Sequence, residues 1–376
     1  MMNSPFRQEQ VSLARIMVVG CGALGNEVVK NLALLEVGFL VLVDFDRVES
    51  DNLNRSALFT KEDAEAGRYK VEAMAERLRA LHPAITVLPI RGDIAYDVGL
   101  ALIRSMDAVI GCVDNRWARY CINRLCMRAD VPWVDGAIDG MEGTVRVFIP
   151  GQNCYACNLG PEGLKDMARR MPCAGVIRRN VEAGKAPTTA LLASIIGAVE
   201  VQEAMKLIHR QELEEGELTS MCGKMFYYEG QHLTTKLVDF QAYDDDCAVH
   251  DCWKPVRQTA LTGQSTVADA LQWLHTDLQA AEVRILLTDD CFVDYVVRRD
   301  TDIRREVMLP GRAVAAFVEQ DKELAGVPFS EMYQHEWREV DAAFPYQGLT
   351  LAELGVPPLA VLQVLTEAGE YYCALC

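Results

Sequence analysis

Gly20, Gly22 and Gly25 stand in a G-x-G-x-x-G pattern between the apolar run Ile16–Val19 and a segment with helical periodicity. In that setting a tight turn offers the free N–H groups of a helix N-terminus to a phosphate. Asp44 lies 19 residues past Gly25, at the end of the next apolar run, where a carboxylate can accept both hydroxyls of a ribose. These features alone suit NAD-binding redox enzymes as well as ATP users. The next segments separate the two: Asp44-Phe-Asp46, Asp51-Asn52-Leu-Asn54-Arg55 and Gly67-Arg-Tyr-Lys70 crowd polar and cationic side chains after the second strand. A dehydrogenase needs no such cluster beside its ribose. A triphosphate does, because its charge must be neutralised and its α-phosphorus held for attack. Arg55 and Lys70 suit that task, and Asn52 or Asn54 can fix an oxygen. Asp114 and Asn115 close a further apolar strand, a natural Mg²⁺ position at the carboxyl edge of a parallel sheet.

The cysteines offer a second chemistry. Cys154-Tyr-Ala-Cys157 is one close pair, and Cys247-x₄-Cys252 supplies two more sulfurs about 90 residues on, with His250 a rival for the fourth position. One pair from each of two segments is the usual way to build a closed, structural zinc site. Cys173 differs, because Arg169, Arg170, Arg178 and Arg179 surround it. Nearby cations stabilise a thiolate and suit a nucleophile, although burial as a small hydrophobe is the commoner fate of a free cysteine. The remaining cysteines read as core filler or terminal residues.

The elements that must position these residues alternate strand and helix over the first 150 residues, the pattern of a doubly wound, mainly parallel α/β sheet. Strands are expected at Ile16–Val19, Phe39–Val43, Val87–Ile90 and Ala108–Ile110, with a later antiparallel strand at Gly143–Ile149. Helices are expected up to about Glu36, over Lys70–Leu81 and over Pro187–Ile208. The pattern changes after Cys252: a helix (Thr266–Leu278), a strand (Val283–Leu287), an irregular acidic stretch, a short helical signal at Thr350–Gly355 and a strand from Ala360 predict a small α+β unit without a paired histidine and carboxylate. The chain carries 37 basic and 54 acidic residues, a formal charge of −17, which argues against nucleic acid and anionic membrane as partners. Thirteen cysteines without a signal peptide point to a reduced, cytoplasmic setting.

From about residue 14 to 252 the sequence resembles the ubiquitin-activating enzymes and their prokaryotic relatives, the ThiF/MoeB-like adenylyltransferases of sulfur carriers. Gly20-Cys-Gly-Ala-Leu-Gly25, Asp44-Phe-Asp46, Asn52-Leu-Asn-Arg55, Gly67-Arg-Tyr-Lys70, Cys112-Val-Asp-Asn115 and the strand pair from Asp135-Gly-Ala through Gly143 to Gly151 carry the resemblance in this order. It implies a Rossmann-like adenylation domain (1–252) in which Asp44 holds the ribose of ATP, Arg55 and Lys70 the phosphates, and Asp114 the magnesium. Asp46, Asn52, Asp93 and Asn115 would line the nucleotide. The resemblance also implies zinc on Cys154, Cys157, Cys247 and Cys252, and a thioester-forming Cys173 on a loop at about 158–187. Residues 253–376 are similar to the β-grasp, ubiquitin-like-fold domain with which activating enzymes recruit a conjugating enzyme.

The implied activity is ATP-dependent adenylation of a ubiquitin-like protein ending in glycine, then thioester formation on Cys173 and transfer to a conjugating enzyme. The alternative keeps adenylation but ends in thiocarboxylate formation for sulfur transfer. Single-domain members have a longer N-terminal arm whose arginine reaches the neighbouring subunit's ATP. Here only 13 residues precede Ala14, with Arg7 the one candidate. A homodimer is expected, but not one in which Arg7 crosses the interface. The resemblance further implies a bacterial ubiquitin-like operon with a part in antiviral defence.

Overall fold

A computed structural model of the chain describes residues 6–160, 162–163, 165, 189–240 and 243–376. It divides into two compact units, one built on the chain up to Cys252 and one on Trp253–Cys376 together with the segment Tyr96–Leu102. Cys173, its four arginines and most of the loop expected to carry them lie outside the described residues.

The first unit is organised by β1 (Arg15–Val19), β2 (Phe39–Val43), β3 (Thr86–Ile90), β4 (Ala108–Gly111), β5 (Trp133–Asp139), β6 (Glu142–Phe148), β7 (Lys224–Glu229) and β8 (Thr234–Asp239). They form one sheet in the order β3-β2-β1-β4-β5-β6-β7-β8, parallel from β3 to β5 and antiparallel beyond. Ile16, Met17, Leu40, Leu42 and Ile110 are fully buried, which explains why these strands read as continuous apolar runs. The fold is the expected Rossmann-like one. The β7–β8 hairpin was not foreseen, because β8 is exposed along its whole length and lacks a buried alternation. Among the described residues no helix is long and apolar enough to cross a membrane.

The chain lays β1, β2 and β3 to one side and then starts β4 on the other side of β1, so the strand order reverses between β1 and β4. Ligands of open α/β sheets sit in the crevice such a reversal leaves at the carboxyl ends. Val19 lies opposite both Val43 and Gly111, and Val43 opposite Ile90, so the residues that follow these strands emerge level with one another. Backbone bonds extend the ladder one step: Gly20 N–H to Val43 O (2.9 Å), Cys112 N–H to Val19 O (2.7 Å) and Asp44 N–H to Ile90 O (3.3 Å). The helix Ala190–Ile208 is capped by Thr189, whose hydroxyl oxygen accepts from Leu192 N–H (3.2 Å), and Pro187, its expected start, lies outside the described residues.

The second unit is the small α+β, β-grasp-like body expected. Its first strand, β9 (Val256–Gln258), runs parallel to its last, β16 (Gly369–Ala374). With β10 (Val283–Leu286), β14 (Glu339–Val340) and β15 (Val361–Thr366) they make a five-stranded sheet, covered by the helix Val267–Leu278. The acidic stretch expected to be irregular is a second sheet instead: β11 (Phe292–Arg298), β12 (Ile303–Pro310) and β13 (Met332–Trp337). Val293, Val296, Val307, Val314 and Val318 form its separate core under the helix Gly311–Gln320. The interspersed charges had hidden the period of this apolar set. The expectation of no paired histidine and carboxylate here is also corrected. A bulge at Asp294 breaks both ladders of β11, and the buried Asp294 carboxylate accepts from His335 Nδ1 (2.8 Å), Trp337 Nε1 (3.1 Å) and Tyr346 OH (3.2 Å).

Candidate functional site

Each glycine of the first loop has its own reason. Gly20 has φ +94°, and a Cβ there would lie 2.5 Å from the Cys112 carbonyl oxygen. A Cβ on Gly25 would lie 2.0 Å from the Gly20 carbonyl oxygen, whereas one on Gly22 would meet nothing within 4 Å. The first and third glycines are thus demanded by packing, and the second faces open space where a ligand's phosphate can approach. Gly22 is the N-cap of the helix Ala23–Leu34, and no side chain caps it. Asn26, not singled out from sequence, braces this loop. Its Nδ2 donates to the carbonyls of Cys21 (3.2 Å) and Gly22 (3.0 Å), and its Oδ1 accepts from Leu58 N–H (2.9 Å).

Asp44 closes the other side of the loop. Its carboxylate accepts from Cys21 N–H and from Asp46 N–H, both at 2.7 Å, leaving lone pairs for further donors such as ribose hydroxyls. Burial raises its pKa, opposed by Lys70 and by these two amides. Lys70 opens the helix Lys70–Leu81 and is pinned by backbone: its N–H donates to Asp46 O (3.0 Å), and Val48 N–H to Arg68 O (2.8 Å). Its Nζ lies 2.7 Å from Asp46 Oδ2. Burial works against the ammonium, but Asp44 and Asp46 outweigh it and hold the lysine pKa above its ordinary value. A buried, permanently charged lysine therefore stands beside the phosphate loop.

The other expected residues are placed as follows. Arg55 is turned onto its own loop, bonding Asp51 O (2.6 Å) and Asn54 Oδ1 (3.1 Å). Asn52 is buried and shapes that loop, its Oδ1 accepting from Glu49 N–H at 3.0 Å. Asp93, half-buried after β3, accepts from Ala95 N–H at 2.9 Å. Asp114 is exposed after β4, and Asn115 caps the helix Arg116–Ala129 through Ala118 N–H (2.8 Å). Arg7 is occupied within its own chain: its Nε lies 2.7 Å from Glu212 and its N–H donates to His209 Nε2 at 2.9 Å.

Away from this crevice, Cys154, Cys157, Cys247 and His250 present ligand atoms all within 4.8 Å of one another. Cys154 Sγ lies 3.6 Å from Cys157 Sγ and 3.8 Å from Cys247 Sγ, close to the ~3.8 Å edge of a tetrahedron with ~2.3 Å zinc–sulfur bonds. His250 Nε2 is 3.2 Å from Cys157 Sγ, and Tyr243 stacks on its ring at 4.3 Å. Burial pushes the Cys154 thiol up to about 12, so a bound cation would be needed to keep that sulfur as a thiolate. The donor set fits zinc. Among the described residues it is His250 that lies with the three cysteines, while Cys252, the expected fourth ligand, is exposed. A turn with His250 N–H on Cys247 O (3.2 Å) puts both side chains on one side, and Cys252 falls past it. Cys247-x₂-His250 repeats the spacing of the first pair.

Sequence reading also missed two buried carboxyls in the apolar helix Ala190–Ile208, Glu200 and Glu203. Glu203 bonds Lys206 Nζ and Met221 N–H. Glu200 is fully buried against Gly136, where a Cβ would come 2.3 Å from its carboxyl carbon. Its Oε2 has no hydrogen-bond partner among the described residues. Burial, then the neighbouring Asp135, push its pKa far up. The folded state therefore keeps a proton that the unfolded chain releases, and stability falls as pH rises above the ordinary carboxyl value. Glu200→Gln should melt about 2–4 °C higher than the parent at pH 8, the shift of roughly 1 kcal/mol, and at the same temperature as the parent at pH 4. A parent that melts higher at pH 8 would refute the assignment.

A phosphate loop at the reversal of a mainly parallel sheet, with a buried lysine and a ribose-type carboxylate beside it, defines a nucleotide-binding α/β protein. The family model described as the ThiF family matches residues 3–249, and the chain belongs to that family. The SAMP-activating enzyme E1 of Haloferax volcanii is 31% identical over 245 residues, covering 65% of this chain and 83% of that protein. The molybdopterin-synthase adenylyltransferase of Salmonella typhimurium is 36% identical over 203 residues, 54% of this chain and 75% of the other. The crystal structure of E. coli MccB with succinimide shares the fold, with a TM-score of 0.52 at 22% identity over 65% of this chain and 68% of that one. The chain is thus a ThiF-type adenylyltransferase, and ATP use follows from that class.

Proposed function

We propose that this protein activates the C-terminal carboxylate of a ubiquitin-like protein ending in glycine. That carboxylate attacks the α-phosphorus of ATP, forming an acyl-adenylate as the bond to pyrophosphate breaks. The Gly20–Gly25 loop and helix N-terminus cradle phosphate, and Asp44 holds the ribose. Lys70, with Arg55 swung from its loop, neutralises charge that develops in the transition state. Asp114 and Asn115 would hold Mg²⁺, which supplies charge neutralisation on the leaving pyrophosphate. The Cys173 thiolate then attacks the acyl carbon and releases AMP, giving a thioester for a conjugating enzyme recruited by residues 253–376. We assign the protein to the cytoplasm as a homodimer.

The observation that carries this reading is the convergence of the glycine loop, Asp44 and Lys70 at one sheet edge in a ThiF-family chain. Exchange of pyrophosphate into ATP that depends on the modifier tests the first step. Cys173→Ala should keep that exchange within about twofold and lose the reducible covalent adduct. An adduct that persists in this variant would move the thioester elsewhere.

A second reading ends in sulfur transfer. It is favoured by likeness to relatives named sulfur carrier protein adenylyltransferases, among them one from Thermus thermophilus at 32% identity over 210 residues. Its mark is a thiocarboxylate on the carrier, seen as a mass increase, with no thioester on the enzyme.

A further inference from the structure

Under the turn that carries Asp114 lies a buried ionic assembly that the proposed chemistry does not use. Arg119 projects from the helix Arg116–Ala129 and is 8% exposed. Its Nε donates to Asp135 Oδ1 (2.9 Å), and its NH2 donates to the carbonyls of Val113 (2.5 Å) and Gly136 (3.1 Å). Arg146 holds the other Asp135 oxygen, and Asp135 is fully buried. Glu200, pressed on Gly136, closes the assembly from below.

Such assemblies are poor sources of stability, because desolvating the charges costs about what their attraction returns. What this one does is geometric. One planar guanidinium ties three points: the backbone one residue before Asp114, the middle of β5 at Gly136 and the neighbouring Asp135 carboxylate, which Arg146 fixes in turn. The turn has few other anchors. Cys112 N–H bonds Val19 O, Asn115 caps the following helix, and the exposed Asp114 carboxylate accepts only from its neighbour Asn115 Nδ2 (3.3 Å) among the hydrogen bonds of the described residues. The carbonyl of Val113 therefore sets where Asp114 starts.

We propose that Arg119 is a positioning residue that acts through the Val113 carbonyl to hold Asp114 in place for Mg²⁺–ATP. This rests on the nucleotide reading above and adds to it the residue that preorganises the metal-side carboxylate. Lysine keeps the charge but is a point donor that cannot span three acceptors in one plane. Residues that orient a metal ligand commonly cost 10- to 100-fold in metal affinity when replaced.

The test is a double-mutant cycle on the full chain with Arg119→Lys, Asp114→Asn and the pair. The readout is the gain in ATP affinity that Mg²⁺ brings, measured by binding without turnover. Arg119→Lys should lower that gain roughly 10-fold or more and leave Mg²⁺-free ATP binding within about twofold. In the Asp114→Asn background it should cost almost nothing further. Equal losses with and without Mg²⁺, or effects that add in the pair, would overturn the proposal. If Arg119→Lys and Arg119→Gln both fail to fold, Arg119 serves stability and the proposal is likewise overturned. A parent that binds no ATP at all would instead sink the nucleotide reading.

Discussion

Lys70→Ala should abolish modifier-dependent pyrophosphate exchange, with a fall of at least ~10²–10³-fold, the cost of deleting one preorganised group aimed at transition-state charge. Lys70 is 8% exposed and its ammonium is bonded to Asp46 and held by the charge of Asp44, so little water is available to replace it. Its removal also leaves two carboxylates facing each other where three phosphates must enter, which repels the ligand as well as failing to attract it. Lys70→Arg should not rescue, because the larger fork cannot occupy the buried slot beside Asp46. Asp46→Asn provides the contrast: it keeps a hydrogen-bond acceptor for Nζ and should retain exchange within about tenfold. Circular dichroism and melting establish that each variant is folded. Exchange by Lys70→Ala within threefold of the parent would show that the phosphates do not pass this lysine.

Removing the metal from the Cys154–His250 cluster should be more damaging still, though to folding rather than to chemistry. Structural zinc is worth about 10–16 kcal/mol in small domains, as much as the whole stability of a typical protein. One zinc per chain is expected by elemental analysis, falling below about a tenth in Cys154→Ser, with aggregation or a collapsed melting transition. Two further variants settle the ligand set. Cys252→Ser should keep its zinc, because Cys252 is exposed and outside the cluster, whereas His250→Ala should lose affinity. Zinc retained by His250→Ala and lost by Cys252→Ser would restore the four-cysteine arrangement.

Much of the nucleotide crevice was legible in the linear order. The positive φ of Gly20 and the approach of Gly25 to the Gly20 carbonyl belong to the loop itself, though the contact of Gly20 with Cys112 is tertiary, and a strand buried on both faces announces itself as an unbroken apolar run. Asp44 and Lys70 follow such runs at spacings that only a strand–helix alternation explains. The second unit was less legible, because in β11 and β12 sequence neighbours such as Val296 and Val297, or Arg304 and Arg305, fall on opposite faces, so charged and apolar residues mix in segments too short for a period to stand out.

The amino-acid order by itself determined the parallel sheet, the family and the residues available for phosphate, ribose and metal. Only the tertiary structure decided which groups meet: His250 over Cys252, Asp294 with His335, Arg7 with Glu212, and Arg119 beneath the Asp114 turn. Local sequence dictates which strands and turns form. Pairings between side chains tens or hundreds of residues apart depend instead on strand order, register and turn direction, and these are set by the packed core as a whole.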